Sequence, residues 1–114
     1  MRSIPIPVDV SRLTFVVVTD PRPRLVSQHT GEVKTDRNGQ TVYQTGLSAA
    51  DATGRVELVN VSVSGEPNVK VGQVVVPAGL VGFVWEQTRN GETRWGIAYR
   101  ADAITPATAA QAAA

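Results

Sequence analysis

The sequence predicts an all-β domain of five or six antiparallel strands closed into a small barrel with long hairpins. Its composition favours strands, because 19 valines and 11 threonines stand against five leucines in 114 residues. Branching at Cβ restricts the first side-chain torsion and suits a pleated surface better than a helix. The ten glycines and seven prolines fall mostly between the valine-rich runs, where they punctuate strands. Alternation supplies the third sign: Val59, Val61 and Val63 take turns with Asn60, Ser62 and Ser64, giving one dry and one wet face. A closed barrel is favoured over a flat sheet because closure removes exposed edges.

The elements follow in order. Residues 1–10 contain Pro5 and Pro7 and read as an extended N-terminal arm. Residues 11–19 form the first strand, with Leu13, Phe15 and Val17 on one face, and the domain proper runs from there to 104. Asp20-Pro21-Arg22-Pro23 interrupts it, since neither proline can donate to a ladder. A second extended stretch covers about 24–37 and ends at Asn38-Gly39, a pair suited to a type I′ hairpin turn. That turn would set Arg37 opposite Gln40 and Lys34 opposite Tyr43. The chain returns over 41–50, turns at Asp51-Ala52-Thr53-Gly54 and continues as a strand over 55–64. Residues 65–72 leave room for a loop, and 73–88 form one long strand that Pro77, Gly79 and Gly82 bend or bulge. A second type I′ turn at Asn90-Gly91 leads into 93–101, pairing Arg89 with Glu92 and Trp85 with Gly96. The alanine-rich residues 105–114 have no periodic apolar stripe and read as a disordered tail. There is no internal repeat and no second domain.

Composition narrows the chemistry. Without cysteine there is no zinc-thiolate site, disulfide or thiol nucleophile. The single histidine, His29, reads as a solvent-facing strand residue rather than a general base. The ten carboxylates are scattered singly, and no glycine-rich phosphate loop occurs. The expectation is a protein that is not an enzyme and uses no cofactor or metal. No apolar run reaches the 18 or so residues of a membrane span, and residues 1–10 lack a signal peptide's layout. We therefore expect a cytoplasmic domain that does not engage membranes. The net charge of +1 argues against a strong, purely electrostatic nucleic-acid binder but leaves room for a local basic patch.

The binding inventory is richer. Four of the six aromatics, Phe83, Trp85, Trp95 and Tyr99, lie in the last hairpin among Arg89, Arg94 and Arg100. In the expected register Phe83, Trp85, Arg94 and Arg100 share one face, while Trp95, Ile97 and Tyr99 share the other. The Trp95 face has the more apolar company, including Val84, and is assigned inward. The remaining aromatic-plus-arginine face suits stacking of unpaired bases beside phosphate contacts. It equally suits a cover for the barrel end or a subunit interface. Lys34, Arg37 and Tyr43, with Arg22 and Arg24 upstream, add charge on the first hairpin.

Residues 70–104 resemble the last third of bacterial single-stranded-DNA-binding proteins of the OB-fold type. The likeness rests on Lys70, Gly72, Val74, the Gly79-Leu80 bend, Trp85, the Asn90-Gly91 hairpin and Tyr99 to Ile104. Upstream, Phe15 to Val18, Asp20-Pro21 and Asn38-Gly39 are similar to the family's first strand, break and turn. The resemblance covers about residues 11–104. It implies an OB-type barrel that stacks bases on Trp85, Tyr43 and Phe83, with Lys34, Arg37, Arg55, Arg89, Arg94 and Arg100 on phosphates. It also implies a homodimer or homotetramer, with replication or transfer proteins as partners. In its Arg/Val/Ala-rich composition and its opening Ile4-Pro5-Ile6-Pro7-Val8, the chain is similar, too, to small proteins of actinomycete conjugative elements that regulate plasmid replication, integration and excision. The family's helix between its third and fourth strands has no room in 65–72, and its acidic tip is not seen in Ala112-Ala113-Ala114. The function implied is single-stranded-DNA binding in replication, recombination or plasmid transfer. The alternative is a regulatory module that binds double-stranded DNA or a partner protein.

Overall fold

The valine-rich runs form strands, and prolines and glycines cut them into more pieces than the sequence suggests. A computed structural model describes residues 4–27 and 29–107. The described strands are β1 (Ile6–Pro7), β2 (Thr14–Val17), β3 (Arg22–Pro23), β4 (Leu25–Ser27), β5 (Glu32–Val33), β6 (Val42–Ala50), β7 (Val56–Ser64), β8 (Val74–Ala78), β9 (Val81–Arg89), β10 (Glu92–Arg100) and β11 (Ala103–Pro106). The only helical element among the described residues is a 3-10 turn at Val10–Arg12. None of their helices is long and apolar enough to cross a membrane.

One sheet runs in the order β1-β9-β10-β7-β6-β2-β8-β11, with β3 also paired to β6. It is curled: β7 and β11 touch although three strands separate them in that order. Phe15 and Val17 of β2, Leu47 of β6, Val61 and Val63 of β7, Val75 of β8 and Ile104 of β11 all meet in one buried cluster. A flat sheet could not bring these residues together.

Several expectations are corrected. Residues 73–88 are two strands, because the chain turns at Gly79-Leu80 and exchanges partners: β8 pairs with β2 and β11, whereas β9 pairs with β1 and β10. Residues 24–37 fold back on themselves as β4 and β5, paired from Leu25 to Val33, and His29 sits exposed in their turn rather than in a strand. The sheet is not wholly antiparallel, since β10 lies parallel to β7 at Tyr99↔Val61 and Arg100↔Ser62. The described part of the N-terminal arm is extended at β1 and lies along the sheet: Ile6 pairs with Gly82, and the Val8 amide donates to the Leu80 carbonyl at 3.0 Å. Thr105 and Pro106 belong to β11 opposite Val76 and Val75, so the ordered domain passes 104. Residues 108–114 of the expected tail lie outside the described residues. Residues 65–72 contain no strand or helix.

The two Asn-Gly turns differ. Asn90 and Gly91 have φ of 54° and 81°, as a type I′ turn demands, and Arg89 pairs with Glu92 and Trp85 with Gly96 as expected. At Asn38-Gly39 only Gly39 has positive φ, at 78°. There the Asp36 carboxylate accepts from the amides of Asn38 (2.8 Å) and Gln40 (2.9 Å). Those bonds hold a three-residue loop, with the Asp36 amide donating to the Gln40 carbonyl at 2.9 Å. The longer loop shifts the register by one: Thr35 bridges Thr41, and Val42 donates to the Lys34 carbonyl at 2.9 Å. Lys34 therefore stands opposite Val42, not Tyr43. Asp51 builds the same loop between β6 and β7, accepting from Thr53 (2.9 Å) and Arg55 (3.0 Å).

Candidate nucleic-acid interface

Cross-strand partners share a face of an antiparallel pair. The register of β9 and β10 therefore puts Phe83, Trp85, Gln87 and Arg89 on one side with Ala98, Gly96, Arg94 and Glu92. Arg100, opposite Val81, joins them. The parallel pairing of Arg100 with Ser62 carries this face onto the outer side of β7. From there Ser62 and Ser64 lead across to Gln44 and Val42 of β6. A small-residue floor thus lies beside an arginine-bearing wall.

An open cleft of about 520 Å³ occupies that junction. Lys34, Asp36 and Arg37 come from the β5–β6 connection, Phe83, Ala98 and Arg100 from the two-stranded ribbon formed by β9 and β10, and Arg24 from the segment between β3 and β4. Arg24 is placed by the sheet: its amide donates to the Val42 carbonyl at 2.8 Å and its carbonyl accepts from Lys34 at 2.8 Å. Its guanidinium Nη1 donates to Ser62 Oγ at 3.3 Å. The cleft holds four cations, Arg24, Lys34, Arg37 and Arg100, against one anion, Asp36. Asp36's carboxyl is held below the usual range, first by the Gln40 amide and then by the Ser64 hydroxyl, so it is ionised at neutral pH. A smaller hollow of about 290 Å³ shares Arg24, Ser62, Ala98 and Tyr99 and runs on to Gln44, Leu58 and Asn60. The two make one groove along the outer face of β6 and β7.

The aromatics are prepared differently. A Cβ built on Gly96 would lie 2.6 Å from Trp85 Cζ2 and 2.8 Å from Cε2. The missing side chain is what lets the indole lie across the neighbouring strand, with its outer face open. Phe83 is already covered, because the Arg100 guanidinium sits 5.0 Å from its ring centroid in a cation–π arrangement. Phe83 thus supports Arg100 rather than offering a free ring.

Of the nine residues singled out by sequence, Lys34, Arg37, Phe83 and Arg100 line the cleft, and Trp85 lies one pleat beyond Phe83 on the same face. Arg89 and Arg94 line a separate hollow of about 270 Å³ at the ribbon tip, with Gln87, Asn90 and Glu92. Tyr43 and Arg55 are not brought into the cleft. Tyr43 is half-buried and pairs with the core residue Val63, on the side of β6 opposite Val42. Arg55 stands at the far end of β6, roughly 25 Å along the strand at about 3.4 Å per residue. Arg24 was missed by sequence reasoning as a cleft residue, since only the folding of β3 and β4 against β6 brings it there.

The inward assignment of the Trp95 face is corrected. Tyr99 packs against the core, but Ile97 is 44% and Trp95 70% exposed. The ribbon extends past the body it springs from, consistent with molecular extents of 46 × 31 × 22 Å. No group of three or more His, Cys, Asp or Glu side chains among the described residues could hold a metal ion. No protein-family model matches the chain, and no curated protein shows significant similarity to it.

Proposed function

We propose that the chain binds single-stranded nucleic acid, single-stranded DNA first among its forms, through an OB-type barrel. The carrying observation is the groove that sets Arg24, Lys34, Arg37 and Arg100 around an uncharged floor, with Trp85 beside it. The barrel reading is supported by strand order. If β8 and β9 are two halves of one strand broken at Gly79, the order β2-β6-β7-β10-β9/β8 returns to β2, with one parallel pair at β7–β10. In folds of this type the outer face of the second and third strands, between the first and last hairpin connections, takes oligonucleotides. Here that face is β6–β7, flanked by the Lys34–Arg37 loop and the ribbon.

The mechanism follows from the side chains. Phosphates are neutralised by the four cations, which makes binding salt-dependent. A base stacks on the open face of Trp85, and the Arg100 guanidinium, braced by Phe83, offers a second planar surface. Gln44 and Asn60 on the floor can donate to and accept from base edges. A role in replication, recombination or plasmid transfer rests on the resemblance set out above.

Titration of tryptophan fluorescence with oligo-dT tests the reading. Wild type should show a quench that weakens steeply with salt. Trp85→Ala should lose about 1–3 kcal/mol of binding, roughly five- to 150-fold in affinity, with an unchanged circular dichroism spectrum. Full affinity in that variant would remove the stacking role.

A second reading has its own observation. A two-stranded ribbon can enter the major groove of duplex DNA, and this one carries Arg89, Arg94, Gln87 and Asn90 at its tip. It predicts that a duplex competes better than oligo-dT of equal length. It also predicts that Arg89→Ala and Arg94→Ala cost more than Lys34→Ala and Arg37→Ala.

A further inference from the structure

The groove is graded along its length. Four cations, Arg24, Lys34, Arg37 and Arg100, line its first hollow. Beyond Arg24, every described residue lining the second hollow is uncharged, among them Gln44, Leu58, Asn60 and Ile97. A groove that tracks a strand phosphate by phosphate spreads its cations along the path. Here the charge is gathered at one end.

The fold enforces that gathering. The Arg24 amide donates to the Val42 carbonyl, the Lys34 amide to the Arg24 carbonyl and the Val42 amide to the Lys34 carbonyl, at 2.8, 2.8 and 2.9 Å. This closed ring of three backbone bonds fixes Arg24 and Lys34 as neighbours on adjoining segments. Arg37 follows in the loop that Asp36 pins through the Asn38 and Gln40 amides, so the Asp36 carboxylate is engaged by its own loop. Arg100 completes the hollow from β10, with its guanidinium over Phe83. Like charges brought together by the backbone repel one another, and a cleft lined mostly by one sign of charge focuses its field on an anion.

We propose that this cleft is a terminal-phosphate pocket, which takes the phosphomonoester at a strand end or on a mononucleotide and lays the adjoining nucleoside over the uncharged hollow. The proposal rests on the nucleic-acid reading of the groove and names the part of the ligand that the cleft selects. Charge fits. An internal phosphodiester carries one negative charge, whereas a phosphomonoester carries about −1.5 to −2 near neutral pH and presents three strong acceptor oxygens. The arginines offer forked donors to those oxygens and Lys34 a point charge, with the Ser62 and Ser64 hydroxyls alongside. Size fits as well. The cleft's 520 Å³ lies within the range of small-ligand pockets, and the hollow beside it supplies Gln44 and Asn60 for the edge of a base.

Fluorescence titration of the full chain tests it, with oligo-dT of one length carrying hydroxyl ends, a 5′-phosphate or a 3′-phosphate. At least one phosphorylated probe should bind about tenfold more tightly than the hydroxyl-ended one. A hydroxyl-ended probe one nucleotide longer, which adds charge without an end group, should gain less than about twofold. The end that gives the gain sets the direction of the strand, and displacement of the phosphorylated probe by thymidine diphosphate adds the free nucleotide as a source. Lys34→Gln and Arg37→Gln, both at exposed positions, should each lower the preference severalfold with an unchanged circular dichroism spectrum. Lys70→Gln, which removes the same charge from an exposed position outside both hollows, should keep it. Equal, salt-dependent binding of all the oligo-dT probes overturns the pocket and leaves the strand reading standing. A preference that survives both Lys34→Gln and Arg37→Gln overturns the pocket too. Binding of the phosphorylated probes and thymidine diphosphate, with none of the hydroxyl-ended oligo-dT, sustains the pocket and overturns the strand reading.

Discussion

The hairpins β6–β7 and β9–β10 have the same strand lengths and pairing, yet opposite surroundings. Each joins two nine-residue strands through nine successive antiparallel pairs. In the first, Thr45, Leu47 and Val61 are fully buried; in the second, every residue from Val84 to Arg89 and from Glu92 to Trp95 is exposed. Register is a local property, fixed by alternation and turn chemistry. Cover is a property of the whole chain: β2 and β3 pair along the outer edge of β6, and β2, β8 and β11 add side chains to the same core. The ribbon receives cover only near its base. The first hairpin therefore carries core and groove floor together, whereas the ribbon contributes Trp85 and Arg100 to the groove with little cover of its own, and substitutions can pull stability and recognition apart.

The largest expected effect is on the covered hairpin. Leu47→Ala removes a fully buried side chain at the centre of the cluster and should cost about 2–5 kcal/mol in urea denaturation. Thr93→Ala, at an exposed ribbon position whose hydroxyl meets Thr88 at 3.2 Å, should stay within about 0.5 kcal/mol. Equal costs would break the comparison, because they would mean the ribbon is as well covered as β6.

Next comes a change aimed at recognition alone. Gly96→Ala places a methyl group where Trp85 Cζ2 now lies 2.6 Å away, and the indole must leave its strand-crossing position. Oligo-dT affinity should fall by roughly the amount lost in Trp85→Ala. Tryptophan emission should shift while thermal stability changes little. Unchanged affinity would show that the indole's placement does not matter to binding.

The same division explains what could be read before folding. The Asn90-Gly91 turn and the Trp85–Gly96 pair were legible because both depend on neighbours in sequence. Asn38-Gly39 has the same dipeptide but forms a different turn, since Asp36 two residues earlier captures the turn amides. The signal was present, for Asp-x-x-Gly recurs at Asp51 with the same bonds. The apolar company of Trp95 predicts an inward face, which holds for Tyr99 at the ribbon base and fails where the body of the protein ends. Arg24 reads in the sequence only as charge upstream of the first hairpin. It joins the cleft through hydrogen bonds to Val42 and Lys34, both far along the chain or across a fold-back.

The two Asp-x-x-Gly loops give the smallest and sharpest test, since they match in structure and differ in location. Asp36's carboxyl is lowered chiefly by the Gln40 amide, and Asp51's chiefly by the Thr53 hydroxyl. A carboxylate whose pKa is depressed in the folded state contributes stability above the unfolded value of about 3.9. That contribution is lost as pH falls through the folded pKa. Both loops should therefore hold their contribution from neutral pH down to about 4 and lose it below. Asparagine at either position keeps an acceptor oxygen and removes the charge, so both variants should show flatter acid unfolding. Binding separates them. Asp36 is the one anion in the cleft, so Asp36→Asn should raise oligo-dT affinity roughly two- to threefold at low salt, a gain that screening removes at high salt. Asp51 stands beside Arg55 at the far end of β6, and Asp51→Asn should leave affinity unchanged. A rise in both variants would place the nucleic acid along the whole β6–β7 hairpin, and a rise in neither would remove it from the cleft.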